Sequence, residues 1–265
     1  MIETKIKFHF CETDLPLLKA AAELHHRAIS PTHRLEILAR GCGFRTLASL
    51  KASLNHSRGS EIEFDLDPAA AFEFANERGH SFTAFDLYAV LATAARPKVA
   101  RENPLLYNWG FGLGCLEPKR NEREQIIAGL PIQERWSAVQ NAIQKDLSER
   151  RIELMQIQPQ REFLQALAFT SCIKPLKNPN MRHASYGLKQ IAEKLAFSLL
   201  GEVLLSESYV SNTNLIAAAL FSGFHAHSPE YVQGYFNSSP NPEFNMAERP
   251  IKPLIEERDR RRRAA

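Results

Sequence analysis

Two stretches of this chain, LEILARGCGFRTLAS at 35–49 and AFEFANERGHSFTAF at 71–85, align at a single offset of 36 residues. The alignment sets Ala75 against Ala39, Gly79 against Gly43 and Ala84 against Ala48. Small side chains let helix backbones approach closely, and glycine supplies the positive φ of a tight turn, so each stretch reads as helix, turn, helix. Working outward, Pro31-Thr32 opens the first of these helices, which buries Leu35, Ile37, Leu38 and Ala39 and breaks at Gly41-Cys42-Gly43. Arg45 to Leu54 follows as a short helix with Leu47, Leu50 and Leu54 at spacings of three and four. Before it, Leu15, Leu17, Leu18, Ala21, Ala22, Leu24 and Ala28 form a stripe that ends ahead of Pro31. Ile6 to Phe10 and the alternating Ile62, Phe64 and Leu66 read as short extended runs.

Further on, Pro97, Pro104, Gly110, Gly112 and Gly114 between Arg96 and Glu117 indicate a long loop or domain boundary. Asn121 to Gln158 reads as one or two long helices, and Arg161 to Cys172 as another, closed by KPLKNPN. A helix begins near Ser185 with Leu188, Ile191, Ala192, Leu195 and Leu199 on one face. SNTNLIAAALFSGF is a second, capped by Ser211 or Asn212 and stopped by Gly223. Pro229, Pro240 and Pro242 with Tyr231, Tyr235, Phe236 and Phe244 suggest an irregular segment, and ERDRRRRAA a disordered charge run. The expected fold is mainly α: tandem helical hairpins over 1–95, a connector over 96–118, a helical C-terminal domain over 119–250 with an irregular aromatic and Pro-rich tail, and a charged end over 251–265.

The net charge of +3 is small, but it is unevenly spread. From His25 to Arg58, Arg27, Arg34, Arg40, Arg45, Lys51 and Arg58 face Glu36 alone, whereas from Glu61 to Asp86 seven acids face Arg78. Cys172 to Lys194 is again basic, and Leu195 to Glu248 carries acids and no base. Such inversions suit either mutual neutralisation across a folded surface or two basic contact segments.

The first basic segment can be laid on a DNA-binding helix-turn-helix. Ala39 and Gly43 fit, but the next apolar position falls at Leu50 rather than Ser49, which rotates the second helix from the expected pose. Its solvent face holds Arg45 and Ser49 with Arg40 and Lys51 flanking, side chains suited to phosphates and base edges. The alternative is a purely structural hairpin. In the second segment Arg182 and Lys189 flank a helix start near Ser185, where free N–H groups favour an anion. Tyr186 with Arg182, His183 and Lys189 is too compressed to surround a phosphate for strand transfer.

Other chemistries find no motif. Cys11, Cys42, Cys115 and Cys172 make no C-x-x-C pair, the histidines make no H-E-x-x-H, and Gly110, Gly112 and Gly114 match no phosphate-binding loop. No G-x-S-x-G elbow occurs. No metal, cofactor or catalytic residue is therefore expected. The longest uninterrupted apolar run, Leu215 to Phe221, is far short of the roughly twenty residues of a membrane span, and the opening residues form no signal-peptide core. A cytoplasmic protein without membrane contact is expected.

The blocks HRLEILARGCGFRTLASL, RHASYGLKQIAEKL, YVSNTNLIAAALFSGF and FNM resemble uncharacterised proteins carried on proteobacterial plasmids and integrated mobile elements. The resemblance covers about a third of the chain in separated pieces. It implies mobile-element biology and brings no catalytic residues with it. The function expected from residues and resemblance together is a non-enzymatic accessory or regulatory protein associated with DNA or RNA. The alternative is an inhibitor or adaptor that binds a protein of conjugative-transfer or host-defence machinery through the helices of 121–170, which also suit a homodimer, or through the aromatic tail.

Overall fold

The computed structural model describes residues 1–227 and 239–264. The chain opens with β1 (Ile2–Thr4) and β2 (His9–Phe10), followed by α1 (Leu15–His25), α2 (Pro31–Gly41) and α3 (Leu47–His56). Next come β3 (Ile62–Glu63), α4 (Pro68–Glu77) and α5 (Ala84–Glu102). Helix starts in this half follow local chemistry. Ser30 and Asp67 each cap a helix whose first residue is proline, and Thr46 with Ser49 and Thr83 with Asp86 form reciprocal capping boxes.

The two aligned glycines occupy the same turn. Gly43 and Gly79 have φ of +84° and +69°. Gly43 and Phe44 donate to the carbonyls of Arg40 and Ala39, just as Gly79 and His80 donate to those of Asn76 and Ala75. The packing, however, runs across the units: α2 lies on α4, and α5 on α1.

Helix α5 corrects the start of the stretch from Arg96 to Glu117, read from the sequence as a long loop or domain boundary. It continues through Pro97 to Glu102, because the run from Val90 to Ala100 on both sides of the proline is buried and packing outweighs the lost backbone hydrogen bond. The hairpin of β4 (Leu106–Tyr107) and β5 (Gly110–Phe111) follows. α6 (Arg120–Ile127) and α7 (Ile132–Arg151) then enclose a small separate cluster of Tyr107, Leu116, Val139, Ile143 and Leu147.

The last third contains α8 (Arg161–Ser171), β6 (Pro175–Ala184), α9 (Ser185–Ala192), β7 (Phe197–Leu199) and β8 (Val203–Leu205), then α10 (Asn212–Phe221), β9 (Ala226–His227), β10 (Glu243–Met246) and α11 (Glu248–Ala264). Ser211 caps α10, its Oγ accepting the Asn214 N–H at 3.2 Å. The body of α10 from Thr213 to Ala219 is buried on every side, as an apolar run without a polar face requires, and it forms the axis against which α5, α8 and α9 pack.

Three further expectations are corrected. All of KPLKNPN after Lys174 belongs to strand β6, at the edge of the sheet β6–β10–β9, where proline costs no inner ladder bond. Helix α9 stops at Ala192, so Leu199 lies on β7, which pairs in parallel with β1 and antiparallel with β8. The charged end is helical, and Ile251 and Leu254 anchor it in the core. The aromatic segment's Pro229, Tyr231, Tyr235 and Phe236 lie outside the described residues.

The fold is mainly α, and its main core draws on residues from Ile6 to Leu254, from both sides of the 96–118 stretch. Among the described residues no helix is long and apolar enough to cross a membrane.

Candidate nucleic-acid interface

The α2–α3 unit commits most of its polar groups internally. The Arg40 guanidinium lies 4.4 Å from the centre of the Phe74 ring, and its Nε is buried without a hydrogen-bond partner among the described residues. The Ser49 hydroxyl donates to the Thr46 carbonyl at 2.7 Å and accepts the Thr46 N–H at 3.0 Å, so it closes the capping box and does not face outward. At the first turn of α3, Glu36 accepts the Leu47 N–H at 2.9 Å and fills the position where a phosphate would bind. Arg45 is exposed and Lys51 half-buried. This geometry suits a structural hairpin better than a DNA-reading helix.

The second segment is arranged differently. Arg182 is exposed on β6, and His183 Nε2 lies 3.0 Å from Glu248 at the start of α11. Lys189 is not a free phosphate ligand, because its residue is only 7% exposed. Its Nζ donates to Glu193 at 2.7 Å and to the Val210 carbonyl at 3.4 Å. That ammonium also sits 5.1 Å and 4.9 Å from the ring centres of Tyr186 and Tyr209. A cation over an aromatic face attracts the ring quadrupole, so Lys189 holds two tyrosines, 51% and 63% exposed, on the surface.

Beside this pair runs a groove between α9 and α11 of about 560 Å³, lined by Gln190, Glu193, Lys194, Glu207, Arg258, Arg261 and Arg262. Part of its charge is committed. Arg261 bridges Glu257 at 2.8 Å and Glu207 at 3.4 Å, and Arg258 pairs with Asp259 at 2.7 Å. The arginines at 260 and 261 hold the Glu257 carboxyl below its ordinary range through hydrogen bonds. Lys194 and Arg262 are exposed, with no ion-pair partner among the described residues. Sequence reasoning had pointed to Tyr186 and Lys189 but missed Tyr209, Lys194, Arg258 and Arg262. The recoverable signal was in α11, where Ile251, Leu254, Arg258 and Arg262, at spacings of three and four, share one helix face that is apolar at its start and basic toward its end.

The titratable groups elsewhere are structural. His25 bonds Thr93 at 2.9 Å and His33 bonds His80 at 2.9 Å. Burial pushes the Cys42 thiol far above its usual range, which makes it a poor nucleophile. Among the described residues no group of three or more His, Cys, Asp or Glu side chains is placed to hold a metal ion. No protein-family model, no curated protein and no solved structure matches this chain.

Proposed function

We infer that this protein binds single-stranded nucleic acid on the face formed by α9, α11 and Tyr209, as a non-enzymatic accessory or regulatory protein. The mobile-element setting suggested by the sequence blocks belongs to this proposal. One observation carries it: two exposed tyrosines, Tyr186 and Tyr209, both lie against the ammonium of a buried lysine next to a groove bearing Lys194, Arg258 and Arg262. Aromatic platforms beside a basic track suit single strands, whose bases stack without sequence readout while phosphates follow the positive charge. On this reading the tandem Gly-centred hairpins are scaffold, with Arg45 and Lys51 at most peripheral phosphate contacts.

The test is fluorescence anisotropy with labelled single-stranded DNA, single-stranded RNA and duplex DNA over a salt series. Removing Lys194, Arg258 and Arg262 together is expected to reduce the salt slope on a single strand by about 0.7 per lost contact. Tyr186→Ala with Tyr209→Ala should weaken single-strand binding by about 1–3 kcal/mol per stacked base. Absence of salt-sensitive binding would replace this reading with the protein adaptor. The observation favouring that second reading is the exposure of Ile132 (81%) and Trp136 (60%), one turn apart on α7.

A further inference from the structure

Tyr209 also borders a second, polar cavity of about 450 Å³, within the size range of small-molecule sites. Its other exposed aromatic is Trp109, 66% exposed, with the Arg150 guanidinium 4.2 Å from its ring centre. Three polar side chains run in a row along this cavity. Arg96, only 6% exposed, donates from Nε to Asn214 Oδ1 at 2.9 Å, and Asn214 Nδ2 donates to Glu162 Oε2 at 3.0 Å. Glu162 Oε2 also accepts the Ser211 N–H at 3.0 Å. Guanidinium and carboxylate therefore stand one amide apart, and Glu162 Oε1 accepts no hydrogen bond among the described residues. Asn108, also lining the cavity, has a buried Oδ1 with no partner among the described residues.

A row with a guanidinium at one end and a carboxylate at the other disfavours a simple ion of either sign. A phosphate at the start of α10 would meet the Glu162 carboxylate that already takes the Ser211 N–H, and an organic cation between the aromatic rings would meet Arg96. A neutral planar ring that presents adjacent N–H donors beside an acceptor satisfies both ends. Buried polar groups left unpaired cost about 1–3 kcal/mol each, so Asn108 Oδ1 calls for a donor as well.

We propose that this cavity is a base pocket for an unpaired guanine, which deepens the single-strand reading above and rests on it. The guanine N1–H and one N2–H face Glu162, the second N2–H faces Asn108 Oδ1, and O6 accepts from Arg96, with Trp109 and Tyr209 as stacking walls. Adenine and cytosine would turn a bare ring nitrogen, and uracil a carbonyl oxygen, toward the carboxylate. Each substitution loses a bond and adds a repulsion.

The experiment follows Trp109 emission while the full chain is titrated with guanosine, adenosine, cytidine and uridine monophosphates. The second of the two tryptophans is removed by Trp136→Phe so that Trp109 is the reporter. Saturable quenching with guanosine monophosphate bound at least about tenfold more tightly than the others is expected. Glu162→Gln should abolish that preference. If Glu162→Gln fails to fold because the cap of α10 is weakened, Asn108→Ala, which removes an atom with no partner among the described residues, should reduce the preference instead. Equal quenching by all four nucleotides, or none, overturns the base pocket. Salt-sensitive binding of homopolymers without a guanine preference overturns the pocket and leaves the single-strand reading standing. Guanosine monophosphate binding without oligonucleotide binding does the reverse.

Discussion

The carboxylate of Glu36, on α2, accepts the backbone N–H of Leu47 at 2.9 Å, so the helix that a DNA reader would aim at a phosphate is supplied with an anion from within its own unit. Removing that anion exposes the free donors of α3. Glu36→Ala is expected to destabilise the fold by about 1 kcal/mol, the usual value of a capping interaction at a partly buried helix start. Urea unfolding monitored by circular dichroism measures it, and an unchanged midpoint would contradict the assignment.

Gly43 and Gly79 share a turn but not a neighbourhood. A Cβ on Gly43 would overlap the Asp65 carbonyl oxygen, whereas one on Gly79 meets nothing within 4 Å. Gly79→Ala should therefore cost only the positive-φ strain, about 1 kcal/mol, and Gly43→Ala clearly more, about 3 kcal/mol. Comparison of the two midpoints decides the matter, and equal losses would show that the contact with Asp65 is relieved without cost.

Lys98 gives an asymmetric pair of variants. Its side chain is 1% exposed and bonds Glu61 and Glu102, whose side chains are 42% and 40% exposed. Glu61→Gln with Glu102→Gln strands an ammonium in the core and should cost about 3–5 kcal/mol. Lys98→Met leaves two solvated carboxylates and a filled volume, with an expected change within about 1 kcal/mol. The urea midpoints of the two variants provide the check, and the order of the two losses is the diagnostic.

Acid should weaken the fold through three histidines. Burial lowers the folded-state pKa of His9, His25 and His26 from the ordinary 6.5. His9 is stacked on Phe221 with ring centres 4.3 Å apart and faces Glu61, Lys98, Glu102 and Glu63, while His25 and His26 face each other and Asp86, with Arg34 beside His26. Below 6.5 the unfolded chain binds protons that the folded chain does not, so the stability present above 6.5 is lost as the pH falls toward the lowered values. The urea midpoint should be lower at about pH 5.5 than at about pH 7.5, and less so when His9 is replaced by Gln. A flat profile would mean these rings protonate freely in the native state.

What could be read from the sequence was what local chemistry decides. Helix α10 announced itself through the cap at Ser211, the apolar run and the stop at Gly223, and the turns at Gly43 and Gly79 through a shared requirement for positive φ. Strand β6 did not, because its two prolines argue for a loop until an edge position is known. Helix α11 did not either, since charge composition alone resembles a disordered tail and only Ile251 and Leu254 tie it down. Lys189 was found as a residue and misread as a surface charge, because its partners Tyr209 and Val210 come from a distant turn of chain. The polar row of Arg96, Asn214 and Glu162 spans three helices and leaves no periodicity to detect.

The parallel pairing of β1 with β7 sets Ile2 against Phe197. At about 5–20 residues per second, a ribosome makes the partner of this first strand roughly 10–40 s after the strand itself. During that interval Ile6 and Phe8, which are buried in the finished core, have incomplete cover. A chain that stalls before residue 197 therefore carries β1 without its partner strand, the kind of unpaired edge that holdase chaperones and proteases recognise.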